Sequence, residues 1–80
     1  MKLNVLLFGI TRDIVGQSQV ELDYQGEPNV AAFKEMLVSQ YPKMDQLAHF
    51  KVAVNQEFAN DEQSLQSGDE IALIPPVSGG

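Results

Sequence analysis

The sequence predicts an α+β fold: a mixed sheet of four to five strands with one main helix packed across one face. Three observations carry that prediction. Short stretches of two-residue alternation, or a brief apolar run, recur at residues 2–8, 20–24, 51–56 and 71–74. Only residues 30–40 repeat their apolar side chains at helical spacing. One helix cannot cover both faces of such a sheet, so the second face stays open. Where the helix joins parallel strands, the crossover is right-handed.

In the first strand, Leu3, Val5 and Leu7 alternate with Asn4, Leu6 and Phe8. The first set suits the core, and Leu6 and Phe8 fall on the opposite face. Gly9 breaks the alternation. Thr11 is placed to cap a single helical turn at 12–15, closed by Gly16. Val20, Leu22 and Tyr24 alternate with Glu21 and Asp23, a half-exposed strand that pairs with the first as a hairpin. The separation between these strands calls for an Ω-like loop or a short helix rather than a tight turn. Gln25-Gly26-Glu27-Pro28-Asn29 is turn chemistry, and Asn29 is the N-cap of the main helix. Val30, Phe33, Leu37 and Tyr41 form its inner stripe, Met36 widens it, and Pro42 ends it.

Another helical turn is expected around 44–48. Residues 51–56 form a strand with Val52 and Val54 inward. Asn55-Gln56 opens a turn into the short strand Glu57-Phe58-Ala59. Asn60-Asp61-Glu62 makes a further turn, and Leu65 anchors the following loop in the core. Ser67-Gly68-Asp69 leads into the last strand, where Ile71 and Leu73 face one way and Ala72 and Ile74 the other. The open face then carries Phe8 and Ile74, with Phe58 near an edge. Apolar side chains left on such a face make a docking patch.

Composition sets the outer limits. Eighty residues read as a single small domain, 1–80, which buries only about 60% of its unfolded surface and has little room for a deep pocket. No apolar stretch approaches the ~20 residues of a membrane span. The apolar N-terminus is too short for a signal peptide and is interrupted by Asn4, so a cytoplasmic location is expected. The absence of cysteine excludes disulfides and thiolate metal sites. With 11 acids against 5 bases the formal charge is −6. The basic stripe of a nucleic-acid binder is missing, and the excess acid fits a basic partner surface or a merely solvated acidic surface equally well.

The final strand runs into Pro75-Pro76-Val77-Ser78-Gly79-Gly80. Neither proline has an N–H for a sheet ladder, and each fixes its own φ. Residues 75–80 can reach roughly 20 Å beyond the sheet. A Gly-Gly ending alone fits a frayed tail better than a functional arm. Paired prolines directly after a buried strand decide for an aimed arm, 75–80, with a thin tip and a terminal carboxylate as its reactive group. No Walker A loop, G-x-G-x-x-G, G-x-S-x-G or H-E-x-x-H motif is present. The pairs Asp61-Glu62 and Asp69-Glu70 read as turn residues, and the lone His49 has no metal-spaced companions. The chain is therefore not expected to be catalytic alone.

Taken together, residues 12–16 (Arg-Asp-Ile-Val-Gly), Val54-Asn55-Gln56 and above all Leu65-x-x-Gly68-Asp69-Glu70-Ile71-Ala72-Leu73-Ile74-Pro75-Pro76-Val77-Ser78-Gly79-Gly80 resemble the small sulfur-carrier subunit of molybdopterin synthase, the MoaD family. That family has a ubiquitin-like β-grasp fold. Thiamin sulfur carriers share the Gly-Gly ending but generally lack the paired prolines, and Leu73-Ile74 stands where aromatics are common in the family. The resemblance implies that Gly80 is adenylated by a separate ATP-using (MoeB-like) enzyme and converted to a thiocarboxylate. The sulfur would be delivered to cyclic pyranopterin monophosphate in the pocket of a MoaE-like large subunit, within a heterotetramer. The chain would be one subunit of a sulfurtransferase, with no cofactor or metal of its own. Gly79 would keep the tip thin, and Pro75 and Pro76 would aim the arm. Val77 and Ser78 would meet the partner with the arm, and Phe8, Phe58 and Ile74 would dock the domain. Two alternatives stay open: a carrier for another pathway such as thiamin, and a ubiquitin-like interaction module.

Overall fold

A computed structural model describes residues 1–46 and 50–75. The strands are β1 (Lys2–Leu7), β2 (Gln19–Asp23), β3 (Lys51–Val54), β4 (Glu57–Ala59) and β5 (Glu70–Ile74). The helices are α1 (Gly9–Val15) and α2 (Val30–Gln40), with a 3₁₀ turn at Pro42–Gln46. All five strands join one mixed sheet, as the hydropathy pattern predicts, and their order is β2-β1-β5-β3-β4.

The register follows the side-chain alternation. β1 pairs antiparallel with β2 through Leu3↔Leu22 and Val5↔Val20, and parallel with β5 through Val5↔Ile71 and Leu7↔Leu73. β3 runs antiparallel to both β5 and β4. This alignment gathers Leu3, Val5, Leu7, Val52, Val54, Ile71 and Leu73 on one face, where Val30, Phe33 and Leu37 of α2 close over them in a single buried cluster. Each side chain fully buried there contributes roughly 1.5–3 kcal/mol relative to exposure. Tyr24 joins the cluster edge-on to Phe33, with ring centroids 5.6 Å apart and planes at 81°.

Helix α2 has the predicted bounds. The Asn29 side chain accepts a hydrogen bond from the Ala32 N–H at 2.8 Å, which satisfies one of the orphan donors of the first turn. Beyond Gln40 the chain departs from expectation. The helical turn expected at 44–48 begins at Pro42 instead, since proline lacks the N–H that a first helical position would leave unpaired. Ala48, the far end of that expected turn, and His49 lie outside the described residues. Met44 is drawn fully into the core.

The first strand is one residue shorter than predicted. The Phe8 N–H donates to the Thr11 hydroxyl at 3.0 Å rather than to a ladder partner, so pairing stops at Leu7. The expected single turn at 12–15 is the longer α1, and Thr11 lies inside it, buried, rather than at its cap. Gly16 closes α1 at φ 89° in the left-handed region, as predicted. Strand β3 also stops short of residue 56, because Asn55 (φ 52°) and Gln56 (φ 73°) both turn left-handed. With Val54↔Glu57 as the flanking pair, they form a two-residue hairpin loop of the type that matches strand twist.

Candidate functional site

The candidate site is the sheet face that α2 leaves uncovered, together with the rim where β5 ends. Pairing across the sheet sets Leu6 beside Ala72, Ala72 beside Ala53, and Ala53 beside Phe58. Ala53 is only 6% exposed yet stands outside the core cluster. It and Ala72 form a low floor between two taller apolar side chains. One step further along β5, half-buried Ile74 lies opposite Lys51. The Lys51 ammonium sits 5.3 Å from the centre of the Phe58 ring, a favourable cation–π distance.

Phe58 is 70% exposed on the edge strand, as predicted. Phe8 is 49% exposed, but not within β1 as the alternation suggested. It is the extended residue before α1. Because β1 and β5 run parallel and Leu7↔Leu73 is their last pair, both chains leave the sheet at one rim. That brings the Phe8 corner next to Ile74 and half-buried Pro75. Phe58 lies across the alanine floor, two strands from β5 and so about 10 Å away by strand spacing. Pro76, Val77, Ser78, Gly79 and Gly80 lie outside the described residues.

Sequence reasoning missed Ile10, 50% exposed beside Phe8, because it follows a glycine and belongs to no alternating run. It also missed the Ala53–Ala72 floor and the Lys51 contact. The signal for the floor was in the alternation, which put Ala72 and Ile74 on one face; what was lacking was the strand register.

The acidic pairs behave as turn residues. Asp69 accepts from the Gln66 N–H at 2.8 Å and from Asn55 Nδ2 at 3.0 Å. The Asn55 side-chain Oδ1 accepts in return from the Glu70 N–H at 3.0 Å, which bolts the β3–β4 hairpin to the start of β5. Asp61 pairs with the Lys34 ammonium at 2.9 Å. On the core side, burial, and then the carboxylates of Glu27 and Glu35, push the Tyr24 phenol above its usual range. Its hydroxyl donates to the Glu27 carbonyl at 2.6 Å. Among the described residues no three His, Cys, Asp or Glu side chains gather as metal ligands, and no helix is long and apolar enough to cross a membrane.

A mixed five-stranded sheet clasping one main helix, with its last strand at the centre, is the ubiquitin-like β-grasp fold. The solved structure of SAMP1 from Haloferax volcanii superimposes with a TM-score of 0.82 at 29% identity, covering 100% of both chains. The chain belongs to the ThiS family, whose model matches residues 5–80. It is similar throughout to proteins named molybdopterin synthase sulfur carrier subunit. That of Mycobacterium tuberculosis is 35% identical over 100% of this chain and 99% of its own length. That of Chlamydomonas reinhardtii is 30% identical over 100% of both. The resemblance read from the C-terminal motif is thereby borne out.

Proposed function

We propose that the chain is the sulfur-carrier subunit of a molybdopterin synthase, with the reactive sulfur held at Gly80. The observation that carries this reading is structural. Strand β5, fixed on both sides by β1 and β3, runs into Pro75 at the rim of an exposed apolar face. The end of the central strand, the exposed apolar face and Pro75, from which the arm would start, therefore share one end of the molecule. The names of full-length relatives at 30–35% identity support the same reading.

A separate adenylating enzyme joins the Gly80 carboxylate to the α-phosphate of ATP and releases pyrophosphate. The acyl-adenylate is needed because a carboxylate is a poor electrophile and AMP a good leaving group. A sulfur donor then displaces AMP to give the thiocarboxylate, a covalently carried nucleophile. In the large subunit's pocket this sulfur attacks a carbon of cyclic pyranopterin monophosphate, the C–O bond at that carbon breaks with its electron pair leaving on the oxygen, and water then cleaves the resulting thioester, which leaves the sulfur on the substrate and returns Gly80 to a carboxylate. Two deliveries complete the dithiolene. The chain's own part is to dock through Phe8, Phe58 and Ile74 and to thread Pro75, Pro76, Val77, Ser78 and Gly79 so that the tip reaches the substrate. The large subunit supplies the electrostatics. The working assembly is a heterotetramer of two carriers and two large subunits, in the cytoplasm, with ATP consumed only by the activating partner.

Intact-mass analysis tests this. After incubation with adenylating enzyme, ATP and a sulfur donor, the chain gains the mass of an oxygen-to-sulfur exchange, and the gain disappears when residues 79–80 are removed. A chain that stays a carboxylate refutes the reading. The likeness to the small archaeal modifier protein 1 of Haloferax volcanii favours one second reading, a protein modifier. That reading predicts the chain's mass added to lysines of other proteins. Capture of a thiazole synthase in place of the large subunit would instead assign the sulfur to thiamin synthesis.

A further inference from the structure

We propose that Gly9 and Thr11 are positioning residues that set the direction in which the arm leaves the sheet. The inference rests on the sulfur-carrier reading for its functional consequence, but not for its geometry. A Cβ built on Gly9 would lie 3.2 Å from Cγ of Pro75, inside the 3.5–4.0 Å of ordinary carbon contact. The proline ring therefore packs directly on the Gly9 backbone. Gly9 also takes φ +55°, a region that glycine enters freely and other residues seldom do.

The corner holding Gly9 is itself locked. Phe8 is extended, at φ −127° and ψ 150°. Its N–H donates to the Thr11 hydroxyl at 3.0 Å, and its carbonyl accepts from that same hydroxyl at 2.6 Å and from the Thr11 N–H at 3.1 Å. Thr11 is the one fully buried polar side chain among the described residues. It serves no core-packing need that valine would not meet, so its hydroxyl is explained by the corner it ties. The parallel β1–β5 pair delivers this corner and Pro75 to the same rim. The first rigid residue of the arm thus leaves the sheet against a fixed stop. At a full reach of roughly 20 Å, a tilt of roughly 10° at the base would displace the tip by about 3.5 Å. Errors of about 1 Å at a reacting centre can lower rates a hundredfold.

The test uses the full chain and the large subunit. Gly9→Asn keeps access to the left-handed backbone but adds the Cβ that meets Pro75. It should bind the large subunit within about twofold of wild type and transfer sulfur from the thiocarboxylate at least about tenfold more slowly in a single turnover. Relaxation of the ¹⁵N amides of Val77 and Ser78 should report faster motion. In Gly9→Asn/Pro75→Ala the ring carbon is gone, and the rate should match that of Pro75→Ala alone. If Gly9→Asn does not fold, Thr11→Val replaces it and should show the same split, with Thr11→Ser restoring the rate. Unchanged amide relaxation with an unchanged transfer rate overturns the proposal. If the wild-type thiocarboxylate transfers no sulfur at all, the carrier reading fails, and the relaxation data alone still decide whether the corner holds the arm.

Discussion

Tyr24 shows how a single side chain ties stability to pH. Its phenol is buried against Phe33 and donates to the Glu27 carbonyl. Its pKa is raised above 10.0 by burial first and then by Glu27 and Glu35. The folded state therefore keeps a proton that the unfolded chain releases. The stabilisation is complete below about pH 10 and is lost as pH rises through the folded pKa. Tyr24→Phe should cost about 1 kcal/mol at neutral pH, a melting shift of roughly 4–8 °C for a domain of this size. It should also flatten the fall in melting temperature above pH 10. An equally steep alkaline fall in the variant would assign that dependence to other groups. At the tip the expectation is the reverse: Gly79→Val and Gly80→Ala should leave the melt unchanged and slow sulfur transfer at least about 100-fold, as a Cβ misplaces the reacting end. Normal turnover by either would refute threading. The paired prolines and glycines of the tip state their backbone chemistry in the sequence, but residues 76–80 lie outside the described residues. The Thr11–Phe8 corner was not legible, since a threonine two residues after a glycine reads equally well as a cap.

Among the elements, α2 was the most legible and the Phe8–Val15 segment the least. The 30–40 pattern carries both its period and its cap, and the fold keeps both, with Asn29 bonded to Ala32 and Val30, Phe33 and Leu37 buried. Strand ends were misread by one or two residues because a competing local bond ends each one. The Thr11 hydroxyl takes the Phe8 N–H, and the left-handed pair Asn55-Gln56 takes the end of β3. The hairpin loop places a side chain where glycine is preferred. A left-handed residue costs roughly 1–2 kcal/mol, and glycine gives back roughly 0.5–1 kcal/mol of that through its freer unfolded chain. Gln56→Gly should therefore stabilise the domain by roughly 0.5–1 kcal/mol, read as a higher urea midpoint at unchanged slope. A lower midpoint would mean that the Gln56 side chain makes a compensating contact.

At the scale of the whole molecule, the alternation correctly left one face open, while the strand order, which decides what that face looks like, came only from the pairing. The Leu6–Ala72–Ala53–Phe58 row exists because β5 lies between β1 and β3. Ile74→Asp changes a half-buried residue on the open face. It should hold the melting temperature within a few degrees while weakening affinity for the large subunit at least about tenfold, or roughly 1.4 kcal/mol. Unchanged affinity would remove Ile74 from the docking surface. The same strand order makes the ends of the chain unequal. A polypeptide cut after residue 68 loses its central strand and should show no cooperative melt, whereas one cut after residue 75 should melt like the intact chain. During translation, β1 and β3 are therefore synthesised well before the strand that must separate them. The sheet can close only after residues 70–74 have left the ribosome. A product released before residue 70 would leave the facing edges of β1 and β3 unpaired.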